Sequence, residues 1–140
     1  MDKLKRSFLT AVALGAALCA GGGAFAQDVK PVRIGFSIAK TGIFANAAPS
    51  QLHSYDLWKD TVNASGGLDI GGKGKRPIEF VLYDDQSNPG QAARIYEKLI
   101  TQDKVDLLLA PWGTPTHAAI APVLERFKFP VVGNSAASVK

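Results

Sequence analysis

Short apolar runs alternate with amphipathic stretches along most of the chain. Four runs have the length and composition of β-strands, and they occupy residues 31–38, 78–83, 105–109 and 129–132. In the first run, apolar residues stand at every second position from Val32 to Ile38. The three stretches between the runs have apolar residues at spacings of three and four, which puts those residues on one face of a helix. The pattern therefore predicts the element order β-α-β-α-β-α-β.

Each predicted helix has an apolar face that should pack against a sheet. The first helix covers residues 51–64, the second begins after Asn88 and the third begins at Thr114. The residues of these faces are Leu52, Tyr55, Trp58 and Val62, then Ala92, Tyr96, Leu99 and Ile100, then Ile120, Val123, Leu124 and Phe127.

Sequence signals mark the ends of these helices. The pair Gly66-Gly67 ends the first helix, as glycine commonly does. Asn88 opens the second, because its side chain can accept a free N–H of the first turn and Pro89 suits the first helical position. Thr114 is also followed by a proline, so it is the predicted cap of the third helix.

The element order predicts an α/β fold with a doubly wound parallel sheet. Helices that alternate with short apolar strands are typical of parallel sheets covered on both faces, and their crossovers are right-handed. The last strand is followed by residues 134–140 without a closing element. We therefore expect the chain to be the front part of something longer.

The first 26 residues have the pattern of an export signal. Three basic residues within the first six precede an apolar run, residues 8–20, and Ala24-Phe25-Ala26 matches the A-x-A cleavage pattern. The run is shorter than the roughly 20 apolar residues that cross a bilayer. We predict cleavage after Ala26 and no membrane insertion of residues 27–140 after cleavage.

The only cysteine raises the alternative of a lipoprotein signal. Cys19 closes the apolar run, but Leu18 stands immediately before it, where a small residue is expected. Residues 27–140 contain no cysteine, which excludes disulfides and thiolate catalysis from that part of the chain.

The net charge is nearly balanced once the predicted signal is excluded. The 140 residues carry a net charge of +4, but residues 27–140 have 13 basic and 11 acidic residues. This near balance does not indicate a nucleic-acid partner. An apolar content of 46% also excludes the disordered and collagen-like classes.

Candidate chemistry lies where the predicted strands end. In a doubly wound sheet the ligand binds beyond the carboxyl ends of the strands. The hydroxyl and amide side chains of these segments are Thr41, Thr114, Thr116, Asn134, Ser135 and Ser138, with Phe44 and Trp112 as apolar walls. If Thr114 caps its helix, the N–H groups of Thr116 and His117 face the strand ends and favour an anion such as a carboxylate. Plain helix capping is the alternative use of the same residues.

Enzymatic and metal sites are not indicated. No nucleophile and base stand out as a pair in the strand-end segments, and the dinucleotide fingerprint is absent. Asp84-Asp85 resembles a magnesium-binding pair, but adjacent strand residues point to different sides, which favours a structural contact. His53 and His117 are too far apart for a short-spaced metal pair. We predict no catalytic residue, no metal and no cofactor.

Several short motifs together resemble one family. They are Ile34-Gly35-Phe36, Thr41-Gly42, Asn63-Ala64-Ser65-Gly66-Gly67, Asp84-Asp85, Pro89, Lys98-Leu99-Ile100, Val105 and Ala121-Pro122-Val123 through Pro130. In their order and spacing the chain resembles the type I periplasmic solute-binding proteins of the branched-chain amino-acid class, which serve ABC importers. The resemblance covers nearly all of residues 27–140.

The resemblance implies two α/β lobes joined by a hinge, with the ligand trapped between them. It implies that residues 27–140 are the N-terminal α/β lobe, in incomplete form. It implies that the ligand carboxylate is held by the loop after the third strand, at Gly113-Thr114 with Thr116. The loop after the fourth strand contributes Ser135, Ala136 and Ser138, in either of two registers.

The likeness leaves the ligand open. Relatives commonly have serine where Thr114 stands, and the segment before the first helix lacks their usual glycine. Trp112 and Phe44 suit an aromatic or larger acid as well as an aliphatic amino acid.

The leading functional hypothesis is a non-enzymatic, periplasmic binding protein that delivers an amino acid or related carboxylate to ABC transporter membrane subunits. A ligand sensor domain of a membrane receptor or regulatory protein is the alternative. An exported α/β hydrolase or phosphatase is disfavoured by the missing nucleophile and base. Because the second lobe would lie beyond Lys140, we expect the 140-residue chain alone to bind weakly or not at all.

Overall fold

The computed structural model describes residues 29–137. The predicted signal at residues 1–26 and the candidate ligand residue Ser138 lie outside this range. The elements are β1 (Val32–Ile38), α1 (Pro49–Ala64), β2 (Leu68–Asp69), β3 (Lys75–Arg76), β4 (Ile78–Asp84), α2 (Pro89–Thr101), β5 (Leu107–Leu109), α3 (Thr114–Phe127) and β6 (Val131–Val132).

Four parallel strands form the main sheet in the order β4-β1-β5-β6. β1 pairs with β4 on one side and with β5 on the other, with Ile34 opposite both Phe80 and Leu107. The first crossover runs from β1 to β4 on one side, and the next runs from β4 back to β5 on the other side of β1. β1 and β5 therefore flank a topological switch point. The predicted doubly wound α/β fold is confirmed.

Helices cover both faces of the sheet, and successive residues of β1 point to opposite faces. Val32, Ile34, Phe36 and Ile38 are buried on the α1 face. The opposite face has Gly35, where an added Cβ would lie only 2.8 Å from Leu99 Cδ2. The missing side chain lets α2 approach the centre of the sheet closely.

The helix faces agree with the periodicity except at one aromatic residue. On α2, Ala92, Tyr96 and Leu99 are fully buried, as predicted, and Ile95 joins them. The prediction for Trp58 on α1 is wrong, because this side chain is 38% exposed. Its indole lies beside an open part of the sheet rather than beneath another element.

A small antiparallel hairpin, β2–β3, lies between α1 and β4. β2 and β3 pair through Leu68 with Arg76 and through Asp69 with Lys75. The segment has no apolar alternation, so periodicity does not reveal it. The hairpin places Arg76 where its guanidinium donates to the carbonyl oxygens of Lys30 and Pro31, at 2.7 and 2.8 Å.

The β5–β6 side of the sheet retains an open apolar groove of about 310 Å³. It is lined by Ile34, Trp58, Leu68, Leu107, Leu108, Leu109, Pro130, Val131 and Val132. Val132 is 74% exposed. Within residues 29–137, no helix has both the length and the apolar character needed to cross a membrane.

Candidate functional site

Two loops lie side by side beyond the carboxyl ends of β5 and β6. The Thr114 hydroxyl, in the first loop, donates to the Ala137 carbonyl at 3.1 Å and accepts from the Ala137 N–H at 2.8 Å. Ser135 Oγ donates to the Pro111 carbonyl at 3.4 Å. The structure thus brings together the two loops that the sequence singled out.

Helix α3 begins differently from the prediction. Gly113, not Thr114, is the N-cap, with φ +92° and ψ +148°. The prediction of Thr114 as the cap is wrong because its hydroxyl is engaged with Ala137 in the neighbouring loop. A positive φ is easily adopted by glycine, which explains the residue type at this sharp entry into the helix.

Three donors converge on the Gly113 carbonyl. They are His117 Nδ1 at 2.8 Å, the His117 backbone N–H at 3.2 Å and Thr116 Oγ1 at 2.7 Å, whose single hydrogen is shared with the Trp112 carbonyl. Because the peptide is planar and trans, the Thr114 N–H points opposite to this carbonyl, out of the helix N-terminus. The donors therefore hold one peptide unit in a fixed direction at the strand ends.

Thr116 serves the backbone rather than the open side of the site. The residue is only 1% exposed, and its hydroxyl contacts the Trp112 and Gly113 carbonyls. A ligand would have to break these bonds to use the hydroxyl. Thr116 therefore shapes the loop that carries Thr114.

Ser135 and Ala136 lie in the exposed loop after β6. Ser135 has a φ of +49°, a left-handed conformation that non-glycine residues adopt uncommonly. Its hydroxyl is directed back to Pro111, whereas Ala136 is exposed.

An apolar wall stands on the β1 side of these loops. The rings of Phe44 and Trp112 have centroids 4.9 Å apart and are tilted by 47°. Both pack against the buried cluster of Ile38, Ala39 and Ala48. The wall joins the loop after β1 to the loop after β5.

Asp84 fastens the loop after β1 to the end of β4. Its carboxylate accepts from Thr41 Oγ1 at 2.8 Å and from the N–H groups of Lys40 at 3.0 Å and Gln86 at 2.8 Å. Burial alone would raise the pKa of Asp84, but the hydrogen bonds from Gln86, Thr41 and Lys40 lower it overall.

Asp85 points to the other side and has the opposite shift. It accepts from Ser37 Oγ at 2.7 Å and from the Ser87 N–H at 3.0 Å. Burial raises the pKa of this carboxyl despite these bonds. In the described part of the chain, no three His, Cys, Asp or Glu residues are grouped as metal ligands. The contacts agree with the structural use predicted for this pair.

A buried polar network, which the sequence analysis missed, lies beneath the two loops. Gln51 Nε2 donates to the Ala110 carbonyl at 3.0 Å and to Tyr55 Oη at 2.8 Å. Tyr55 Oη lies 3.2 Å from the same carbonyl and 3.1 Å from Asn134 Oδ1. Burial raises the pKa of Tyr55, against a lowering by Asn134 and Gln51. Helical periodicity marked Tyr55 as apolar, and only its hydroxyl could have indicated a polar role.

Comparison with known proteins places this arrangement among solute-binding folds. Residues 31–140 match a family model described as periplasmic binding protein. The branched-chain amino acid transporter substrate-binding protein LivJ from Streptococcus pneumoniae, solved with isoleucine, is similar at 29% identity and a TM-score of 0.69. The match covers 78% of this chain and 30% of that protein.

Two other solved structures are also similar. A solute-binding protein from R. palustris, solved with benzoate, has 25% identity and a TM-score of 0.60, and the match covers 73% of this chain and 26% of that one. A putative branched-chain amino acid ABC transporter protein from Silicibacter pomeroyi has 30% identity and a TM-score of 0.60, with 73% and 25% covered. The chain thus spans less than a third of the length of these relatives.

Proposed function

Because this chain belongs to the periplasmic binding protein family, we propose that it contributes one lobe of a protein that captures a small carboxylate for an ABC importer. The observation that carries the proposal is the junction of the two strand-end loops through Thr114, beside the N-terminus of α3. That junction lies at the edge of the sheet where doubly wound folds bind ligands.

An anionic group suits this position on physical grounds. The Thr114 N–H points outward from the N-terminus of α3. The unpaired donors and the helix dipole at that end favour negative charge. The bonds on the Gly113 carbonyl keep that N–H in one direction, so little reorganisation is needed when a ligand binds. The Ser135–Ala136 segment runs along the same edge and offers further backbone donors.

The neighbouring wall favours an apolar body on the ligand. Phe44 and Trp112 supply aromatic surface, and Ile43 on the same loop is 84% exposed. Isoleucine and benzoate, the ligands in two of the similar structures, are both carboxylates with an apolar body. Both classes, aliphatic amino acids and aromatic acids, remain within the proposal.

The remaining parts of the role rest on the family. A second lobe would close over the ligand, and membrane subunits of an importer would receive it. The signal pattern of residues 1–26 supports export to the periplasm and cleavage after Ala26.

Calorimetric titration of the full-length gene product tests the proposal. The probes are L-leucine, L-isoleucine and benzoate, each paired with its amide, which lacks the carboxylate. We expect at least one acid to bind and its amide to bind far more weakly. Failure of every acid to bind below the millimolar range would overturn the assignment.

A variant pair tests the role of the loop junction. Thr114→Val removes both hydrogen bonds to Ala137, so affinity for the bound acid should fall by about tenfold. Thr114→Ser retains the hydroxyl and serves as the matched control. Equal affinities for the two variants would count against Thr114 as part of the site.

A further inference from the structure

The loops after β5 and β6 are attached to each other in matching order. Ala110, Pro111 and Thr114 of the first loop connect to Asn134, Ser135 and Ala137 of the second, the first pair through Tyr55. Asn134 is exposed at the end of β6, whereas Tyr55 beneath it is only 9% exposed. Asn134 therefore has one end fixed from below and one end at the surface.

The orientation of the Gln51 amide is determined by its surroundings. Gln51 Nε2 lies 3.0 Å from the Ala110 carbonyl, so the reverse orientation would place two acceptor oxygens against each other. With this orientation Gln51 donates one hydrogen to Ala110 and the other to Tyr55 Oη. Gln51 Oε1 is buried without a hydrogen-bond partner in the described part of the chain.

The Tyr55 hydroxyl then has a single hydrogen for two neighbouring acceptors. The Ala110 carbonyl already receives a hydrogen from Gln51. The Tyr55 hydrogen satisfies an additional acceptor only when it points to Asn134 Oδ1, at 3.1 Å. Because Oδ1 is the end held by Tyr55, the Nδ2 amino group is the end of Asn134 left for the open side of the site.

We propose that Asn134 is a further ligand-binding residue, which donates its side-chain N–H to the carboxylate of the bound acid, and that Gln51 and Tyr55 are positioning residues that orient this amide. The inference rests on the proposed function and adds a side-chain donor from the loop after β6. It implies that the part of the ligand beside Asn134 is a hydrogen-bond acceptor and not an ammonium group.

The variant Asn134→Asp distinguishes a donor from an acceptor role. It keeps an oxygen for Tyr55 and replaces the amino group with a negatively charged oxygen. In the full-length gene product, we expect the affinity for the acid that the wild type binds (L-leucine, L-isoleucine or benzoate) to fall about a hundredfold or more. Asn134→Ala removes the donor without adding charge, so the affinity of this variant for the same acid should fall by about tenfold.

Tyr55→Phe tests the positioning role. It removes the hydroxyl but keeps the ring, whose edge-to-face contact with Phe36 has a centroid distance of 5.1 Å. We expect affinity to fall about three- to tenfold in the Asn134 protein and not to fall further in the Asn134→Ala protein. Tyr83→Phe is the matched control, because its hydroxyl donates instead to Asp103 at 3.1 Å. It should leave affinity unchanged.

The outcomes separate this inference from the proposed function. If the wild type binds an acid and Asn134→Asp binds equally tightly or more tightly, the donor role is wrong while solute capture stands. If Tyr55→Phe weakens binding equally with and without Asn134, the positioning role is wrong. If the wild type binds none of the three acids, both the proposed function and this inference are overturned.

Discussion

Asp84 and Asp85 show how two neighbouring residues at the end of β4 acquire opposite pKa shifts. The Asp84 carboxylate collects backbone and hydroxyl donors from the loop after β1, so its pKa falls. Asp85 turns into the protein and its pKa rises because burial outweighs its hydrogen bonds. The alternation of side chains along a strand produces this difference.

Asp84→Asn should reduce the free energy of unfolding near pH 7 by about 1 to 2 kcal/mol. The folded-state pKa of Asp84 is below the unfolded value of about 4, so its contribution is present above that value and is lost as the pH falls through the folded pKa. Urea unfolding near pH 7 and near pH 3 should therefore show a smaller difference between wild type and variant at acid pH. If the difference in unfolding free energy between wild type and variant is the same at both pH values, the stabilising role of the ionised Asp84 carboxylate is contradicted.

Asp85→Asn is the complementary change. The folded pKa of Asp85 is raised, so the wild type gains stability from this residue as the pH falls, and the variant lacks that gain. The free energy of unfolding of the variant, relative to that of the wild type, should therefore be highest near pH 7 and should fall at acid pH. The opposite trend in the same urea experiment would show that burial does not dominate at Asp85.

At the scale of elements, the close packing of α2 on β1 depends on one glycine. An added Cβ at Gly35 would lie 2.8 Å from Leu99 and 3.0 Å from Val105. Gly35→Ala should therefore reduce the free energy of unfolding by about 1 to 3 kcal/mol. Gly133→Ala is the control, since its nearest contact would be an ordinary 3.9 Å. Equal effects in chemical denaturation would show that crowding is not the cause.

Asn88 is the N-cap of α2, as the sequence predicts. Asn88 Oδ1 accepts from the Gln91 N–H at 3.0 Å, and Pro89 occupies the first helical position. Asn88→Ala should cost about 1 kcal/mol in thermal or urea unfolding, whereas Asn88→Asp keeps the acceptor and should cost little. Equal losses in both variants would assign the effect to something other than the cap.

At the scale of the molecule, the β6 side of the sheet is unfinished within residues 29–137. The groove beside Trp58 and the exposed Val132 present apolar surface next to a strand with an unpaired edge. Such edges promote association with other chains. We expect this exposed apolar surface to promote self-association of the polypeptide in solution.

A polypeptide of residues 27–140 alone should therefore self-associate and bind the probe acids weakly or not at all. Sedimentation velocity and calorimetry measure the two properties. Val132→Lys places a charge on the exposed edge and should reduce association without restoring binding. A monomeric fragment with the affinity of the full-length gene product would contradict this expectation.

Local pattern predicted most of the fold because its signals act between near neighbours. The β1 alternation and the Asn88 cap involve residues within a few positions of one another, and both are found as predicted. The hairpin of Leu68–Asp69 and Lys75–Arg76 was missed because two-residue strands have no measurable period. Trp58 was misassigned because helical spacing shows which residues share a face, but not whether anything covers that face.

The sequence by itself determined the order of the four main-sheet strands and the three helices, the doubly wound class and the loops that carry candidate polar groups. Only the tertiary structure decided how those groups are used. Thr114 bonds to a residue 23 positions away, and Tyr55 reaches one 79 positions away. Such partners are set by which strands lie side by side, because a hydrogen bond forms only between atoms about 3 Å apart. The folded sheet alone creates that proximity.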